Sequence, residues 1–379
     1  MPKELKQVPV TVLTGFLGSG KTTLLNHLLR STKEENEGMR FAVIENEFGE
    51  VGIDEHIIDT KQLTDKTDEE VIEVMNGCIC CTVRGDLSEA LLRMYEKVSN
   101  FDAVLIETTG LADPAPVAQT FFVDEKVCER YRLDGVITVV DAKHIEQHLD
   151  DDKPEGVENE AVEQLAFADR ILLNKVDLIR EVKEPTGEKE ELTGEPIYRT
   201  MERPAADVAA DMKRIEDRIR SVNSHAELVH TEFSKVSPHK VLKLDAFDIE
   251  KVLEKEPDFL SEDAEHLHDT TVSSCSAVFE GDLSIAKLQV LIRELIGSVE
   301  SADNLFRYKG VLSVKGFNEK YVFQGVHMLF SGYFSSSLVW APGEKRTCRF
   351  VFIGKHLDEE TMIERFKDCE VKGELRFKV

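Results

Sequence analysis

The chain has 379 residues, of which 41% are hydrophobic and 32% charged, as is usual for a globular protein. This length suits about two domains of roughly 100–200 residues each. The formal net charge of -26 argues against nucleic acid and against an anionic membrane surface as partners, because both attract clusters of Lys and Arg. No apolar stretch approaches the roughly 20 residues that a helix needs to cross a bilayer, so no membrane partner is expected.

The start of the chain and its cysteines bear on the cellular compartment. The first predicted strand begins at Val8, after a polar segment, so no signal or transit peptide is expected. Seven cysteines, an odd number, favour reduced thiols over a disulfide framework in such a chain. Both observations predict a cytoplasmic protein.

Apolar runs of strand length alternate with helical patterns through the first half of the chain. Residues 8–14 form an apolar run, a glycine-rich turn follows, and leucines at helical spacing predict a helix over 22–29. Further strands are predicted at residues 40–44, 101–106, 135–140 and 170–173, and a further helix at 86–98. This alternation predicts an α/β fold with a doubly wound, mostly parallel sheet and crossover helices on both faces.

The pattern changes twice farther along the chain. Charged residues dominate 181–195, which predicts a surface excursion. Later apolar runs, which predict a small α+β domain with an antiparallel sheet, lie at residues 272–279, 310–314, 321–327 and 349–353, with an amphipathic helix at 285–296. We therefore divide the chain into a first α/β domain (1–233), an acidic linker (234–270) and a C-terminal α+β domain (271–379).

Residues 15–22 have the spacing of a phosphate-binding P-loop, G-x-x-x-x-G-K-[ST], between a predicted strand and a predicted helix. Backbone N–H groups of such a loop surround phosphate oxygens, and the helix N-terminus adds partial positive charge. We expect Lys21 to reach the β- and γ-phosphates, Thr22 to bind Mg²⁺ and Thr23 to donate to the α-phosphate. The loop positions expected to surround the phosphates are Gly15, Gly18, Ser19 and Gly20.

A second motif, Asn-Lys-X-Asp, follows the predicted strand at 170–173 and contains Asn174, Lys175 and Asp177. The Asp177 carboxylate would accept hydrogen bonds from guanine N1–H and the exocyclic amine, whereas adenine has no donor at N1. Asn174 is expected to hold the loop and touch the base edge. Together with the P-loop, the motif predicts GTP rather than ATP. A second base-facing loop is expected near residues 232–234, where the sequence has no diagnostic feature.

Between these motifs, the predicted strand at 101–106 leads into Glu107 and Gly110. Glu107 is expected to meet the Mg²⁺ ion or its water shell, and, with Lys21, to be catalytic. The Gly110 N–H is expected to meet the γ-phosphate, which makes residues 108–113 a candidate switch loop. The alternative for Glu107 is a carboxylate that caps the next helix. The sequence has no obvious water-orienting Gln or Arg finger, so slow intrinsic hydrolysis is expected.

Three thiols, Cys78, Cys80 and Cys81, fall within four residues of a glycine-flanked loop. Thiolates are soft ligands that select zinc or cobalt-like ions over Mg²⁺, so the loop predicts a transition-metal site. Buried apolar cysteines and a redox switch are the alternatives. The candidates for a fourth ligand are Glu45, Glu47 and solvent. The loop lies between a candidate first switch at residues 45–54 and the candidate switch loop at 108–113. The γ-phosphate is therefore expected to affect metal binding, and the metal to affect GTP binding.

The motifs GFLGSGKTTLLN, ENEFGEVGID, NGCICC, ETTGLADPAPV and NKVD together resemble the metal-handling P-loop GTPases of the SIMIBI class, and within them the CobW-like branch. The likeness extends over nearly the whole chain. It implies a doubly wound GTPase domain, GTP hydrolysis and metal delivery, with Cys78, Cys80 and Cys81 as the metal ligands.

Two features of the chain depart from this family. Residues 3–6 lack the Cys-Pro-Glu-Leu-like segment of the members that serve methionine aminopeptidase, which argues against that client. The predicted linker has two histidines, His266 and His268, where many bacterial members have a long His run. This difference argues against a bulk metal store.

These inferences lead to three hypotheses for function. The favoured one is a GTP-hydrolysing metallochaperone that transfers zinc, or alternatively cobalt, to a client metalloprotein of unknown identity. The second is a metal-independent GTPase switch or assembly factor, and the third an ATP-dependent small-molecule kinase. The protein is expected to be a monomer or a nucleotide-dependent homodimer.

Overall fold

A computed structural model describes residues 7–31, 39–45, 83–97, 101–151, 153, 159–189, 196–248, 272–297 and 304–371. A parallel sheet lies at the centre of the first part of the chain. Its strands are β1 (Val8–Thr14), β2 (Phe41–Glu45), β3 (Ala103–Glu107), β4 (Tyr131–Asp141), β5 (Arg170–Asn174) and β8 (Glu227–His230). They lie in the order β2-β3-β1-β4-β5-β8, and each neighbouring pair is parallel. The strand order reverses beside β1, the position where open α/β sheets bind ligands.

Helices cover both faces of this sheet. They are α1 (Lys21–Leu29), α2 (Val83–Lys97), α3 (Ala115–Val123), α4 (Glu125–Cys128), α5 (Ile145–Leu149), α6 (Glu160–Phe167), α7 (Asp177–Arg180) and α8 (Ala205–Val222). Val10 and Val12 of β1 pack in a core with α2, α3, α6 and α8, whereas Leu13 packs in a second core with α1. Side chains on a strand alternate between faces, so the all-apolar sequence of β1 follows from burial on both sides. The predicted doubly wound α/β fold is confirmed.

Two segments differ in detail from the sequence expectations. The predicted surface excursion contains an antiparallel hairpin of β6 (Glu181–Lys189) and β7 (Pro196–Glu202). Residues 234–248, assigned above to an acidic linker, contribute Val241 and Leu242 to the core that contains α1. Because these apolar side chains are buried against the first sheet, the packed unit extends past residue 233. The division into three segments otherwise stays a prediction.

The C-terminal part forms an antiparallel sheet in the order β12-β11-β10-β13-β9. Its elements are β9 (Val272–Glu280), α9 (Ile285–Ile296), β10 (Leu305–Leu312), β11 (Glu319–Val326), β12 (Leu329–Val339), β13 (Thr347–Lys355) and α10 (Glu359–Asp368). Phe323, Phe350 and Phe366 form part of a core between this sheet and its two helices. The predicted α+β character is confirmed.

The second sheet packs directly on the first unit. Val351 and Ile353 of β13 belong to the same core as the first sheet. Arg307 of β10 is 5% exposed, donates from Nη1 to the Phe167 carbonyl oxygen at 2.6 Å and is paired with the buried Asp169. A buried guanidinium needs such partners, because an unpaired charge there is costly.

None of the helices in the described segments has the length and apolar character that crossing a lipid bilayer requires.

Candidate nucleotide site

The P-loop runs from the end of β1 to the start of α1 and depends on its glycines. Gly15, Gly18 and Gly20 have φ values of 137°, 74° and 113°, which residues with a side chain rarely adopt. A Cβ on Gly15 would lie 2.1 Å from the Val139 carbonyl oxygen, and one on Gly20 would lie 2.5 Å from Asn174 Nδ2. The loop therefore passes close to β4 on one side and to the Asn-Lys-X-Asp motif on the other.

Lys21 begins α1 and folds back over the P-loop. Its Nζ donates to the carbonyl oxygens of Gly15 at 2.7 Å and Phe16 at 3.3 Å, and the residue is 7% exposed. Burial lowers the pKa of Lys21, while the nearby Glu107 carboxylate opposes that shift. A phosphate would favour the ammonium form further, since an opposite charge stabilises it. Lys21 therefore lies over the P-loop, and its contact with phosphate stays a prediction.

The side chains of Thr22, in α1, and Glu107, at the end of β3, are in direct contact. The Thr22 hydroxyl donates to Glu107 Oε1 at 2.9 Å, and Glu107 lies opposite Leu13 in the pairing of β1 with β3. A hydroxyl and a carboxylate are hard oxygen ligands, the type that Mg²⁺ prefers. The donor set of Thr22 and Glu107 therefore fits the magnesium ion predicted for this position. Thr23, the next residue of α1, is exposed.

Ser19 lies at the tight turn of the P-loop and is fully buried. Its hydroxyl has no hydrogen-bond partner among the described residues. Buried hydroxyl groups are usually hydrogen-bonded, because an unpaired one loses the hydrogen bonds it made to water. An anion in the loop would provide the missing acceptor.

Asn174, at the end of β5, joins three segments. Its Nδ2 donates to the Ser19 carbonyl oxygen and to Ser234 Oγ, each at 2.9 Å. Its Oδ1 accepts from the Ser234 backbone N–H at 2.9 Å and from the Thr231 hydroxyl at 3.1 Å. The side chain is 2% exposed, so the structure gives it the loop-holding role that the motif predicts.

Lys175 and Asp177 follow Asn174 on the base side of the site, where the guanine base is expected to bind. Lys175 has φ 63° and donates from Nζ to Asp141 Oδ2 at 2.9 Å. Burial would raise the pKa of Asp141, but hydrogen bonds from Lys175 and His144 hold it below the usual value. Asp177 begins α7, and its buried Oδ1 has no partner among the described residues. Such an oxygen fits the two donors of guanine, since an unpaired buried acceptor is unfavourable.

Two contributors to the site were not singled out by the sequence reasoning, which named residues 232–234 only as an expected base-facing loop without a diagnostic residue. Ser234 adopts φ 55° and donates from Oγ to the Gly20 carbonyl oxygen at 2.9 Å, which fixes residues 231–234 to the P-loop. Its only signal was the position after the last strand. Gln164 of α6 donates from Nε2 to the carbonyl oxygens of Gly110 at 3.1 Å and Ala112 at 3.3 Å. No local pattern distinguishes this Gln from others in an amphipathic helix.

The loop after β3 contains Gly110, whose N–H is expected to meet the γ-phosphate. A Cβ on Gly110 would lie 2.6 Å from the Leu17 backbone nitrogen, so the loop after β3 packs directly on the P-loop. Thr108 holds the start of the loop, donating from its backbone N–H to the Leu13 carbonyl oxygen at 2.9 Å. Among the predicted positions, the structure brings together the P-loop, Glu107, Gly110 and the Asn-Lys-X-Asp motif.

The predicted thiolate loop with Cys78, Cys80 and Cys81 lies outside the described residues. Glu47, His266 and His268 also lie outside them. Glu45, another candidate ligand, ends β2 opposite Glu107 in the parallel pairing with β3. Within the part of the chain that the structure describes, no group of three or more His, Cys, Asp or Glu side chains is arranged to hold a metal ion.

Known proteins resemble this chain over nearly its full length. The zinc chaperone YjiA of Escherichia coli is 34% identical over 94% of this chain and 96% of its own. The zinc chaperone CobW of Pseudomonas aeruginosa is 32% identical over 96% of this chain and 92% of its own. The zinc-regulated GTPase metalloprotein activator 1 of Schizosaccharomyces pombe is 30% identical over 86% of this chain and 77% of its own.

A solved structure agrees with these sequence relationships. The crystal structure of zinc-bound YjiA GTPase from Escherichia coli superimposes with a TM-score of 0.66 and 28% identity, covering 96% of this chain and 99% of YjiA. Two family models also match: the CobW/HypB/UreG nucleotide-binding domain over residues 9–195, and the C-terminal domain of the cobalamin synthesis protein CobW over residues 272–370. The resemblance inferred from the motifs is therefore confirmed, and the chain belongs to the CobW family.

Proposed function

We propose that this protein is a GTP-hydrolysing metallochaperone that binds zinc on its Cys-X-Cys-Cys loop and transfers it to a client metalloprotein. The observation that carries the nucleotide part is the unpartnered, buried carboxylate oxygen of Asp177 beside a complete P-loop. The metal part is supported by the relatives, which are named zinc chaperones and a zinc-regulated GTPase. Zinc is therefore preferred to cobalt.

The residues divide the work of binding GTP. Asp177 accepts from the guanine N1–H and amine, while Asn174 keeps the base side in place. The P-loop amides, Ser19 and Lys21 surround the phosphates. On binding, Lys21 exchanges the carbonyl oxygens of Gly15 and Phe16 for phosphate oxygens. The Gly110 N–H then faces the γ-phosphate.

Thr22 and Glu107 are the residues that would hold Mg²⁺, directly or through water. A bound magnesium ion neutralises charge that develops on the phosphate oxygens. Thr22 could keep its hydrogen bond to Glu107 in this contact, because a hydroxyl that donates its proton still has lone pairs to face the ion. Lys21 would add a second positive charge to offset the charge of the transferred phosphoryl group.

The remaining cysteines do not compete for zinc. Four cysteines form no disulfide bond, and burial raises the pKa of each thiol: Cys128, Cys275, Cys348 and Cys369. Thiolates rather than thiols bind metals, so these positions are poor ligands. The proposed zinc ligands are therefore Cys78, Cys80 and Cys81, with Glu45 as a candidate fourth ligand. Unpaired thiols also support a cytoplasmic location.

The proposal is tested by replacing the loop thiols. A variant with Cys78→Ser, Cys80→Ser and Cys81→Ser should lose tight zinc binding, measured by competition with a fluorescent zinc chelator, and keep its affinity for GTP. The matched control is Cys128→Ser, which retains a donor for the Phe121 carbonyl oxygen at 3.1 Å and should bind zinc normally. Unchanged zinc binding by the triple variant would contradict a zinc site on this loop, and normal activation of the partner by that variant would favour the metal-independent GTPase switch.

A nucleotide competition assay separates GTP from ATP. We expect GTP and GDP to displace a fluorescent guanine nucleotide, and ATP to fail at concentrations about a hundredfold higher, because adenine leaves Asp177 unpaired. Equal displacement by ATP would favour the kinase hypothesis. That alternative has no support from the geometry of the base side.

A further inference from the structure

Gln164 of α6 is 1% exposed and directs its amide at a loop far away in the sequence. Its Nε2 reaches the Gly110 carbonyl oxygen, 54 positions earlier, at 3.1 Å, and the Ala112 carbonyl oxygen at 3.3 Å. Its own backbone carbonyl oxygen accepts from the Thr138 hydroxyl of β4 at 2.6 Å. The side chain therefore connects the sheet and helix framework to the candidate switch loop.

The same loop is held from the opposite side by the P-loop. The backbone of Gly110 approaches that of Leu17 so closely that a Cβ would lie 2.7 Å from the Leu17 Cα. A glycine at this point rotates more freely than other residues. The bond from Gln164 to its carbonyl oxygen restrains that freedom. Together the two contacts fix the direction of the Gly110 backbone.

We propose that Gln164 is a positioning residue that orients Gly110 toward the γ-phosphate and thereby sets the preference for GTP over GDP. This inference rests on the proposed function. GDP has no γ-phosphate, so its affinity does not depend on the direction of the Gly110 N–H. GTP gains that contact only while the loop is held, because a loose loop must be ordered at a cost in entropy.

The test compares two matched variants. Gln164→Glu keeps the side-chain shape and replaces the donating NH₂ group by a carboxyl oxygen. Asn223→Asp makes the same change at the residue after α8, where Asn223 Nδ2 donates to the Leu165 carbonyl oxygen at 2.8 Å and the Ala168 carbonyl oxygen at 2.9 Å. Both side chains are 1% exposed, and each loses its donation to two backbone carbonyls. Only Gln164 touches the switch loop.

The dissociation constants of GTP (as a slowly hydrolysed analogue) and of GDP are measured for the wild-type protein and both variants. We expect Gln164→Glu to weaken GTP binding about tenfold or more and GDP binding less than about threefold, the scale of losing one or two hydrogen bonds. Asn223→Asp should leave the GTP-to-GDP ratio unchanged even if it lowers stability. Should Gln164→Glu fail to fold, Gln164→Met removes both donors without adding a charge and carries the same expectation.

The outcomes distinguish this inference from the function it rests on. A wild-type protein that binds neither nucleotide overturns the proposed function, and the inference with it. A wild-type protein that binds both, together with a Gln164 variant whose ratio equals that of Asn223→Asp, overturns the inference alone. Equal losses for GTP and GDP in the Gln164 variant also overturn it, because the effect would then not depend on the γ-phosphate.

Discussion

The two ends of the nucleotide site are held in different ways. At the base end, Asn174 is hydrogen-bonded to Ser19, Thr231 and Ser234, and these contacts connect the P-loop to residues 231–234. At the phosphate end, Lys21 donates to the carbonyl oxygens of Gly15 and Phe16, and we propose that it exchanges these partners for phosphate oxygens. A preformed end contributes affinity without changing shape, whereas an end that exchanges partners responds to the ligand. The phosphate end is therefore suited to report whether a γ-phosphate is present.

The largest effect is expected from Asn174→Ala, which removes the centre of the base end. Its four hydrogen bonds are buried, so we expect about 3 kcal/mol of lost stability and a similar relative loss of affinity for GTP and GDP. Thermal unfolding and nucleotide titration measure both. The control Asn26→Ala loses one bond, to the Thr22 carbonyl oxygen, and should cost less than about 1 kcal/mol. A loss confined to GTP would show that the base end is not independent of the γ-phosphate.

The next effect concerns Asp177→Asn. An amide replaces one acceptor by a donor that faces the donors of guanine, so affinity for GTP and GDP should fall about 30- to 100-fold, or about 2–3 kcal/mol. Stability should not fall, because Asp177 Oδ1 makes no hydrogen bond among the described residues. Competition with GTP and ATP gives the specificity directly. A GTP affinity within threefold of wild type would place the base elsewhere.

A smaller effect should depend on pH near the switch loop. Burial, then the charges of Asp113 and Glu160, raises the pKa of Glu163 to about 8. The folded protein thus binds a proton more tightly than the unfolded chain. The stabilisation from this group is complete below the unfolded pKa of about 4.5 and is lost as pH rises through about 8.

Glu163→Gln should remove that dependence. The difference in unfolding free energy between the variant and wild type should shift in favour of the variant by ~1–3 kcal/mol between pH 5.5 and pH 8.5. Chemical denaturation at both pH values measures the difference. A constant difference across the range would mean that Glu163 titrates normally in the folded protein.

The smallest effect is expected from Thr108→Val at the phosphate end. The Thr108 hydroxyl donates at 3.0 Å to Thr14 Oγ1, with a longer contact to the Leu13 carbonyl oxygen. Its loss should cost about 1 kcal/mol and weaken GTP more than GDP, the reverse of the pattern for Asn174→Ala. Equal losses for both nucleotides would remove the distinction between the two ends of the site.

The sequence predicted most of what depends on short spacing. The P-loop and the Asn-Lys-X-Asp motif are contiguous, and the chemistry of their residues is visible without a fold. Ser234 and Gln164 act through contacts that span 214 and 54 positions, which no local pattern records. Strand β12 was not predicted, because it lies at the sheet edge with mostly half-buried or exposed side chains and has no regular apolar alternation.

The boundary after residue 233 shows a related limit of sequence patterns. The segment that follows is polar overall, yet Val241 and Leu242 are buried against the first sheet. Average composition favours a linker, whereas two apolar side chains are enough to attach the segment to the core. Asp134 adds to this attachment by accepting from the backbone N–H groups of Leu244 and Asp245 at 2.9 and 3.0 Å.

The most direct test of a GTP-driven zinc chaperone is the zinc dissociation constant at fixed pH with GDP and with a slowly hydrolysed GTP analogue. We predict that the two values differ at least about fivefold and that stoichiometric zinc changes the preference for GTP by the same factor, as thermodynamic linkage requires. Identical zinc affinities in the two nucleotide states would contradict the coupling and leave a GTPase whose thiolate loop serves another purpose.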